Sequence, residues 1–146
     1  MKIAFFTDTF LPQVNGVATS IANFAIELGK RGHKVLIICP APKGKRPVWI
    51  HENVSIVDLP SMPAFFYPDF RMSPLMGVPK ALSAIKKFNP DVIHFHTTLS
   101  VAVDALLAAK IFNKPLVGTN HLFLTEKNND SISFLTKNPV ALRYIT

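Results

Sequence analysis

The chain changes its hydrophobic period twice within its first forty residues, and that alternation restricts it to few folds. Residues 2–8, KIAFFTD, are an apolar run that ends on polar residues, which predicts a strand buried on both faces. From Val17 the spacing changes. Val17, Ile21, Phe24 or Ala25, and Leu28 recur at three- and four-residue steps, one face of a helix. Gly32 is a stop signal for that helix, and residues 34–39, KVLIIC, are a second buried run closed by Pro40. Strand, helix and strand at this spacing make a βαβ unit, whose strands pair in parallel through a right-handed crossover.

The alternation continues. VSIVDLP predicts a third strand over 54–60. Pro60 to Pro79 then holds five prolines, with Phe65, Phe66, Tyr67 and Phe70 among them, and reads as a long irregular connection of the kind that is usually functional or mobile. KALSAIKKF is a helix stopped at Asn89-Pro90, DVIHFH a strand, SVAVDALLAAKIF a helix and KPLVGT a strand. Ser131 to Lys137 predicts another helix, and Asn138-Pro139 a helix start. The fold class is therefore α/β: a Rossmann-like parallel sheet with helices on both faces. The final amphipathic pattern breaks off at Thr146, so residues 1–146 are expected to be one domain, incomplete at its C-terminus.

Composition narrows the function classes. With 146 residues and 49% hydrophobic side chains, the chain can bury a core and is neither a disordered tail nor a nucleic-acid-binding arm. The formal charge of +7 is local: no acid falls between Glu27 and Glu52, a stretch with Lys30, Arg31, Lys34, Lys43, Lys45 and Arg46. Such a stretch suits anionic lipid, nucleic acid or a phosphate-bearing substrate, and equally a solvated helix end and loop. Cys39 is the only cysteine, which excludes an intrachain disulfide and fits a reducing compartment. The first apolar run meets Asp8 too early for a signal peptide, and Leu99 to Phe112 is too short for a membrane span and carries Asp104 and Lys110. A soluble, cytoplasmic domain is expected.

In an open α/β sheet, ligands bind outside the carboxyl ends of the strands. Those ends carry DTF and Asn15-Gly16, then HFHTT, then TNH. Asn15-Gly16 opens a helix whose first N–H groups are unpaired, a seat for phosphate, although Asn-Gly also makes ordinary turns. No G-x-G-x-x-G follows the first strand, which disfavours a dinucleotide site. His94 and His96 lie two apart on one strand face and are conceivable metal ligands, but no third ligand stands nearby in sequence. A strand histidine is more often buried with a hydrogen bond. His96, at the strand end, has the better claim to line the crevice, and His121 follows Gly118-Thr119-Asn120 in a loop. His33 reads as structural, and His51 has no pattern around it.

Four blocks, DTFLPQVNGVATSI (8–21), ELGKRGHKVLIICP (27–40), PDVIHFHTTLS (90–100) and KPLVGTNH (114–121), stand in one order. In that order and spacing the chain resembles the N-terminal domain of retaining glycosyltransferases of the GT-B fold, family 4. The opening block and residues 60–74 look most like enzymes that glucosylate diacylglycerol at membranes, with mannosyltransferases close behind. The resemblance implies retaining transfer of a hexose from a nucleotide-diphosphate sugar to a lipid or saccharide acceptor. This chain would supply the acceptor-side domain. A C-terminal donor-binding domain is absent from it, so alone it should be inactive.

By the same resemblance, the backbone at Asn15, Gly16 and Val17 would approach the diphosphate. His96 and Thr119 would line the substrate site, and His121 would stand beside the transferred sugar. No cofactor and no divalent metal are implied, and the leaving phosphate, not a side chain, would take the acceptor's proton. The basic stretch and the Phe65–Phe70 loop would place the protein peripherally on an anionic, inner membrane surface. Nucleic acid is not an expected partner, because few Lys or Arg separate those aromatics. Two positions depart from the family: Thr97-Thr98-Leu99 stand where Thr-Pro-Phe is common, and Leu122 where Thr is; both bear on acceptor choice. The alternatives are a non-catalytic binding or regulatory domain, or a subunit completed by a separate donor-binding chain. A nucleotide-dependent epimerase or dehydrogenase is a third, disfavoured by the missing glycine fingerprint.

Overall fold

A computed structural model describes residues 1–46, 50–65, 67–97, 99–119 and 121. The helices expected at Ser131–Lys137 and from Asn138, with Leu122, lie outside them. The elements are β1 (Lys2–Phe6), α1 (Gly16–Lys30), β2 (Lys34–Pro40), β3 (Val54–Leu59), β4 (Met62–Ala64), β5 (Tyr67–Met72), α2 (Val78–Phe88), β6 (Val92–Phe95), α3 (Ser100–Ile111) and β7 (Leu116–Gly118). The main sheet has the order β3-β2-β1-β6-β7 with every pair parallel. The β1-to-β2 crossover through α1 steps one way along the sheet, and the crossovers into β6 and β7, which carry α2 and α3, step the other, so right-handedness puts α1 on one face and α2 and α3 on the other.

The two-residue period of the strands sorts the core accordingly. Ile3, Phe5, Val35, Ile37 and Cys39 pack against Ile21, Ala22 and Ala25 of α1. Ala4, Phe6, Leu36, Ile38 and Ile93 pack against Ala81 and Ile85 of α2 and Val101, Ala105 and Ala108 of α3. Phe5 and Phe6, at 1% and 0% exposure, each contribute roughly 1.5–3 kcal/mol of burial. Cys39 lies in the same core, and burial pushes its thiol up to about 12. Helix ends follow their local chemistry: Gly32 takes φ +81° after α1, and Asn89 takes φ 48° before Pro90 after α2.

Two expectations are corrected. The proline-rich connection is not irregular throughout: β4 and β5 form an antiparallel hairpin, with Met62 opposite Met72 and a register shift at Pro63/Ala64. A two-stranded ribbon tolerates Pro63 because it is all edge. Arg71 ties the base of the hairpin by donating to the Ser61 hydroxyl and carbonyl, both at 2.8 Å, and Ser61 Oγ donates to the Ala41 carbonyl at 2.7 Å. The basic stretch is not one patch. Lys30, Arg31 and Lys34 lie at the amino edge of the sheet, whereas Lys43, Lys45 and Arg46 follow β2, roughly 20 Å away at strand rise. Lys30 pairs with Glu27, and Arg46, with its side chain 6% exposed, pairs with Asp58, each at 2.7 Å.

One carboxylate joins the halves of the sheet edge. The residue before α3 is Leu99, which has no oxygen to cap it. Asp8, just past β1 and 3% exposed, supplies the cap across the fold. Its Oδ1 accepts from Ser100 N at 2.9 Å, Val101 N at 3.1 Å and the Ser100 hydroxyl. Its Oδ2 accepts from Thr97 Oγ1 at 2.6 Å, and Thr97 Oγ1 in turn accepts from Asp8 N at 2.9 Å. One turn further along α3, Asp104 is buried with neither carboxyl oxygen hydrogen-bonded among the described residues. Burial, and then the charge of Asp8, raise its carboxyl to about 6.

Asp8→Ala removes a cap and strands two helix N–H groups, so it should lower the unfolding free energy by about 2 kcal/mol; an unchanged urea midpoint at pH 7 contradicts the capping role. Asp104 gives the opposite sign to a paired carboxylate. Its folded value lies above the ordinary aspartate value of 3.8, so the native state holds the proton more tightly. Its contribution is complete below pH 4 and is lost as pH rises through about 6. Asp104→Asn should raise the urea midpoint at pH 7.5 and leave it nearly unchanged at pH 4.

Candidate functional site

The chain leaves β1 toward β2 and later returns to β6 on its other side, so β1 and β6 form the switch point at which open α/β sheets bind ligands. Three hydrogen bonds carry the ladders one residue past the strands: Thr7 N to Ile38 O at 3.1 Å, His96 N to Phe6 O at 2.8 Å and Thr119 N to Phe95 O at 2.9 Å. They hold Thr7, His96 and Thr119 at one edge.

On this edge the β1–α1 loop turns through a cis Leu11–Pro12 bond into α1. Asn15, extended at φ −150°, caps the helix: its Oδ1 accepts from Ala18 N at 2.8 Å. Its Nδ2 donates to Thr9 Oγ1 at 2.8 Å, and Thr9 Oγ1 donates to Gln13 Oε1 at 2.7 Å, which fixes the loop against the helix start. Among the described residues, no acceptor meets the N–H groups of Gly16 and Val17. The first turn of α1 carries no acid, so the positive end of its dipole stands uncompensated. A Cβ built on Gly16 meets nothing within 4 Å, so the chain's own packing does not require glycine there. What the missing side chain does is leave room above two donors.

The second group is three histidines. His94 and His96 project from β6 and its end toward the α1 face and stack at 4.0 Å between ring centroids. His94 Nε2 is 2.7 Å from Thr119 Oγ1, and His96 Nδ1 is 3.4 Å from His121 Nε2. Phe5 stands edge-on to His96 at 4.6 Å, and Phe24 of α1 lies 6.4 Å from both imidazoles. Burial in this surround, with some help from the charge of His121, lowers His94. Burial, then His94 and His121, push His96 down to about 3. His96 is therefore a neutral imidazole at any ordinary pH. β7 approaches closely because residue 118 is glycine: a Cβ there would overlap the Phe95 ring.

Of the residues singled out from sequence, His96, Thr119 and His121 come together at the ends of β6 and β7, and Asn15, Gly16 and Val17 form the start of α1 at the same edge. His94 is hydrogen-bonded, as a strand histidine usually is, and its partner is Thr119. Among the described residues no group of three His, Cys, Asp or Glu is arranged to hold a metal ion. Two contributors escaped the sequence reading. Asp8 had one signal, the absence of any capping residue before SVAVDALL; Gly118 had none, since its need depends on the Phe95 ring across the ladder. Chemically, the edge offers backbone donors for an anion and an imidazole, His121, for a hydroxyl.

The model of Glycosyltransferase Family 4 matches residues 14–142. The chain is 38% identical over 121 residues to the alpha-monoglucosyldiacylglycerol synthase of Streptococcus pneumoniae, covering 83% of this chain and 26% of that protein. It is 34% identical over 121 residues to the GDP-mannose-dependent alpha-mannosyltransferase of Mycolicibacterium smegmatis, covering 80% of this chain and 31% of that one. The chain thus spans between about a quarter and a third of these relatives. Among solved structures it is similar to MurG of Acinetobacter baumannii, with a TM-score of 0.54, 12% identity and coverage of 82% of this chain and 34% of MurG. It is also similar to the glycotransferase of kitacinnamycin, with a TM-score of 0.59, 17% identity and coverage of 98% of this chain and 37% of the other. These likenesses share the Rossmann-like α/β fold of GT-B enzymes, and the chain belongs to glycosyltransferase family 4.

Proposed function

We propose that these residues form the acceptor-side half of a retaining glycosyltransferase, which moves a hexose from a nucleotide-diphosphate sugar to a lipid or saccharide acceptor. The observation that carries this reading is the open first turn of α1, with two N–H groups free among the described residues under a side-chain-free position, at the same sheet edge as the histidine group. A departing diphosphate gathers negative charge. Preorganised backbone donors at a helix N-terminus stabilise that charge without a metal ion. His121 offers a hydrogen bond to the transferred sugar, and Asp8, the described carboxylate at this edge, is spent on α3. The donor-binding half is taken to lie outside these residues.

A lipid acceptor is favoured by the apolar rim at the same edge. Ser73 N donates to Ser100 Oγ at 3.1 Å, which sets residues 73–76 against the start of α3. Leu75, Met76, Leu99 and Val103 are 71%, 54%, 46% and 45% exposed around that junction, and Phe65 is 97% exposed near the hairpin tip. Among the described residues no helix is long and apolar enough to cross a membrane, so contact with a bilayer would be peripheral and through this rim. The divided basic stretch is a poorer candidate.

The test is a transfer assay on the full-length protein with UDP-glucose and GDP-mannose, offered diacylglycerol-containing vesicles and a panel of soluble acceptors. Lipid-linked sugar, with kcat/KM reduced about 100-fold in His121→Ala, is the expected result. Product on soluble acceptors alone would retain the reaction and remove the lipid acceptor. Absence of transfer to any acceptor overturns the proposal.

A further inference from the structure

The histidine group has more order than a substrate lining needs. His96 is neutral and so carries a single ring N–H. Its Nδ1 faces His121 Nε2 at 3.4 Å, while its Nε2 is buried with no hydrogen-bond partner among the described residues. Two arrangements satisfy the contact. In one, His121 Nε2–H donates to a bare His96 Nδ1, and the His96 proton must then sit on Nε2, a buried donor with nothing to receive it. In the other, His96 Nδ1–H donates to a bare His121 Nε2, and His96 Nε2 is a lone pair facing apolar surroundings. Orphaned buried N–H groups are the rarer defect, and an acceptor left unused is borne more easily.

We infer that His96 is a positioning residue that donates its Nδ1–H to His121 Nε2 and thereby holds His121 as the Nδ1–H tautomer. One ring nitrogen's hydrogen bond decides which nitrogen carries the proton. An imidazole left to itself in water prefers its proton on Nε2, so the structure assigns His121 the less common form. The consequence is a direction. The ring's only lone pair is occupied, and its free group is an N–H, unpaired among the described residues, on a half-buried ring at the ligand-binding edge. His121 so held presents a hydrogen-bond donor and cannot take a proton through Nε2.

Neighbouring contacts maintain this polarity. His94 stacks on His96 at 4.0 Å, and Phe5 stands edge-on at 4.6 Å, so the His96 ring is held on two sides. His94 is occupied with Thr119 and does not compete for His121. The His96 and His121 planes are 24° apart with centroids at 5.6 Å, the geometry of neighbours that meet edge to edge. Among the described residues no Asp or Glu is hydrogen-bonded to any of the three imidazoles.

The role matters for catalysis only if the proposed transfer reaction holds, but the tautomer is measured independently of it. Full-length protein labelled with 15N-histidine, with His121 assigned from a His121→Gln difference spectrum, gives the tautomer from long-range proton–nitrogen correlations at pH 7.5. The expected wild-type pattern is Nδ1–H with a bare Nε2. His96→Leu should move His121 toward the Nε2–H form. His96→Asn, whose side-chain amide can place a donor where Nδ1–H stood, should keep it. In transfer assays the leucine variant should lose tenfold or more in kcat with less than twofold change in KM for the donor, and the asparagine variant should recover most of that loss. A wild-type His121 already protonated on Nε2 overturns the inference even if no variant folds. So does a leucine variant that folds and leaves the His121 tautomer unchanged. Absence of any transfer by wild-type protein would remove the reaction and leave the tautomer assignment standing.

Discussion

The arrangement at the sheet edge depends on Asp8. A parallel sheet leaves each crossover helix starting at the carboxyl edge with its first N–H groups unpaired. At the switch point α1 and α3 both begin there, one on each face. The carboxylate of Asp8 enters the start of α3, and through Thr97 it also fixes the loop that follows β6. A single side chain thus holds β1, β6 and α3 in register at the place where their loops must cooperate. The donors around it are why a buried acid is tolerated here, whereas Asp104 one turn away, with no hydrogen bond among the described residues, is driven toward its neutral form.

Legibility in the sequence followed the range of the interaction. Strand and helix periods are local, and every strand and helix expected among the described residues up to KPLVGT is present, with ends displaced by a few residues. The strand beginning KIAFF stops at Phe6, because Thr7 and Asp8 turn their side chains to caps and loops, and α1 begins at Gly16 rather than Val17 because Asn15 is its cap. The hairpin at 62–72 was hidden by its own composition: prolines and aromatics read as loop, and only the Arg71–Ser61 bonds show why the segment pairs with itself. The basic stretch misled for the opposite reason. Nearness along the chain is not nearness in space here, because a seven-residue strand separates its two halves.

The candidate site was legible in position and less so in relation. That polar residues gather at strand ends follows from topology alone, so His96, Thr119 and the Asn15-Gly16 turn could be picked out beforehand. Their pairings could not. His94 to Thr119 and His96 to His121 each join residues 25 apart in sequence, and both depend on how β7 seats beside β6. That seating rests on Gly118 under the Phe95 ring, a contact with no trace in either strand's pattern.

The contrast between the two helix starts decides where a ligand's charge belongs. Both present a positive dipole end at the same edge. The start of α3 already holds an anion of the protein's own, bonded to two backbone N–H groups and two hydroxyls, and a second negative group beside it would meet repulsion from Asp8. The start of α1 has only a neutral amide as cap, no acid in its first turn and no Cβ at Gly16. An anionic ligand entering this edge therefore finds one closed seat and one open one. The open seat lies on the α1 face, the face to which His94 and His96 also turn, and their neutrality leaves the field there to be set by the helix. On the proposed reading, the diphosphate would take the open seat at α1 and leave the closed one to Asp8, with a sugar hydroxyl meeting His121 on the same face.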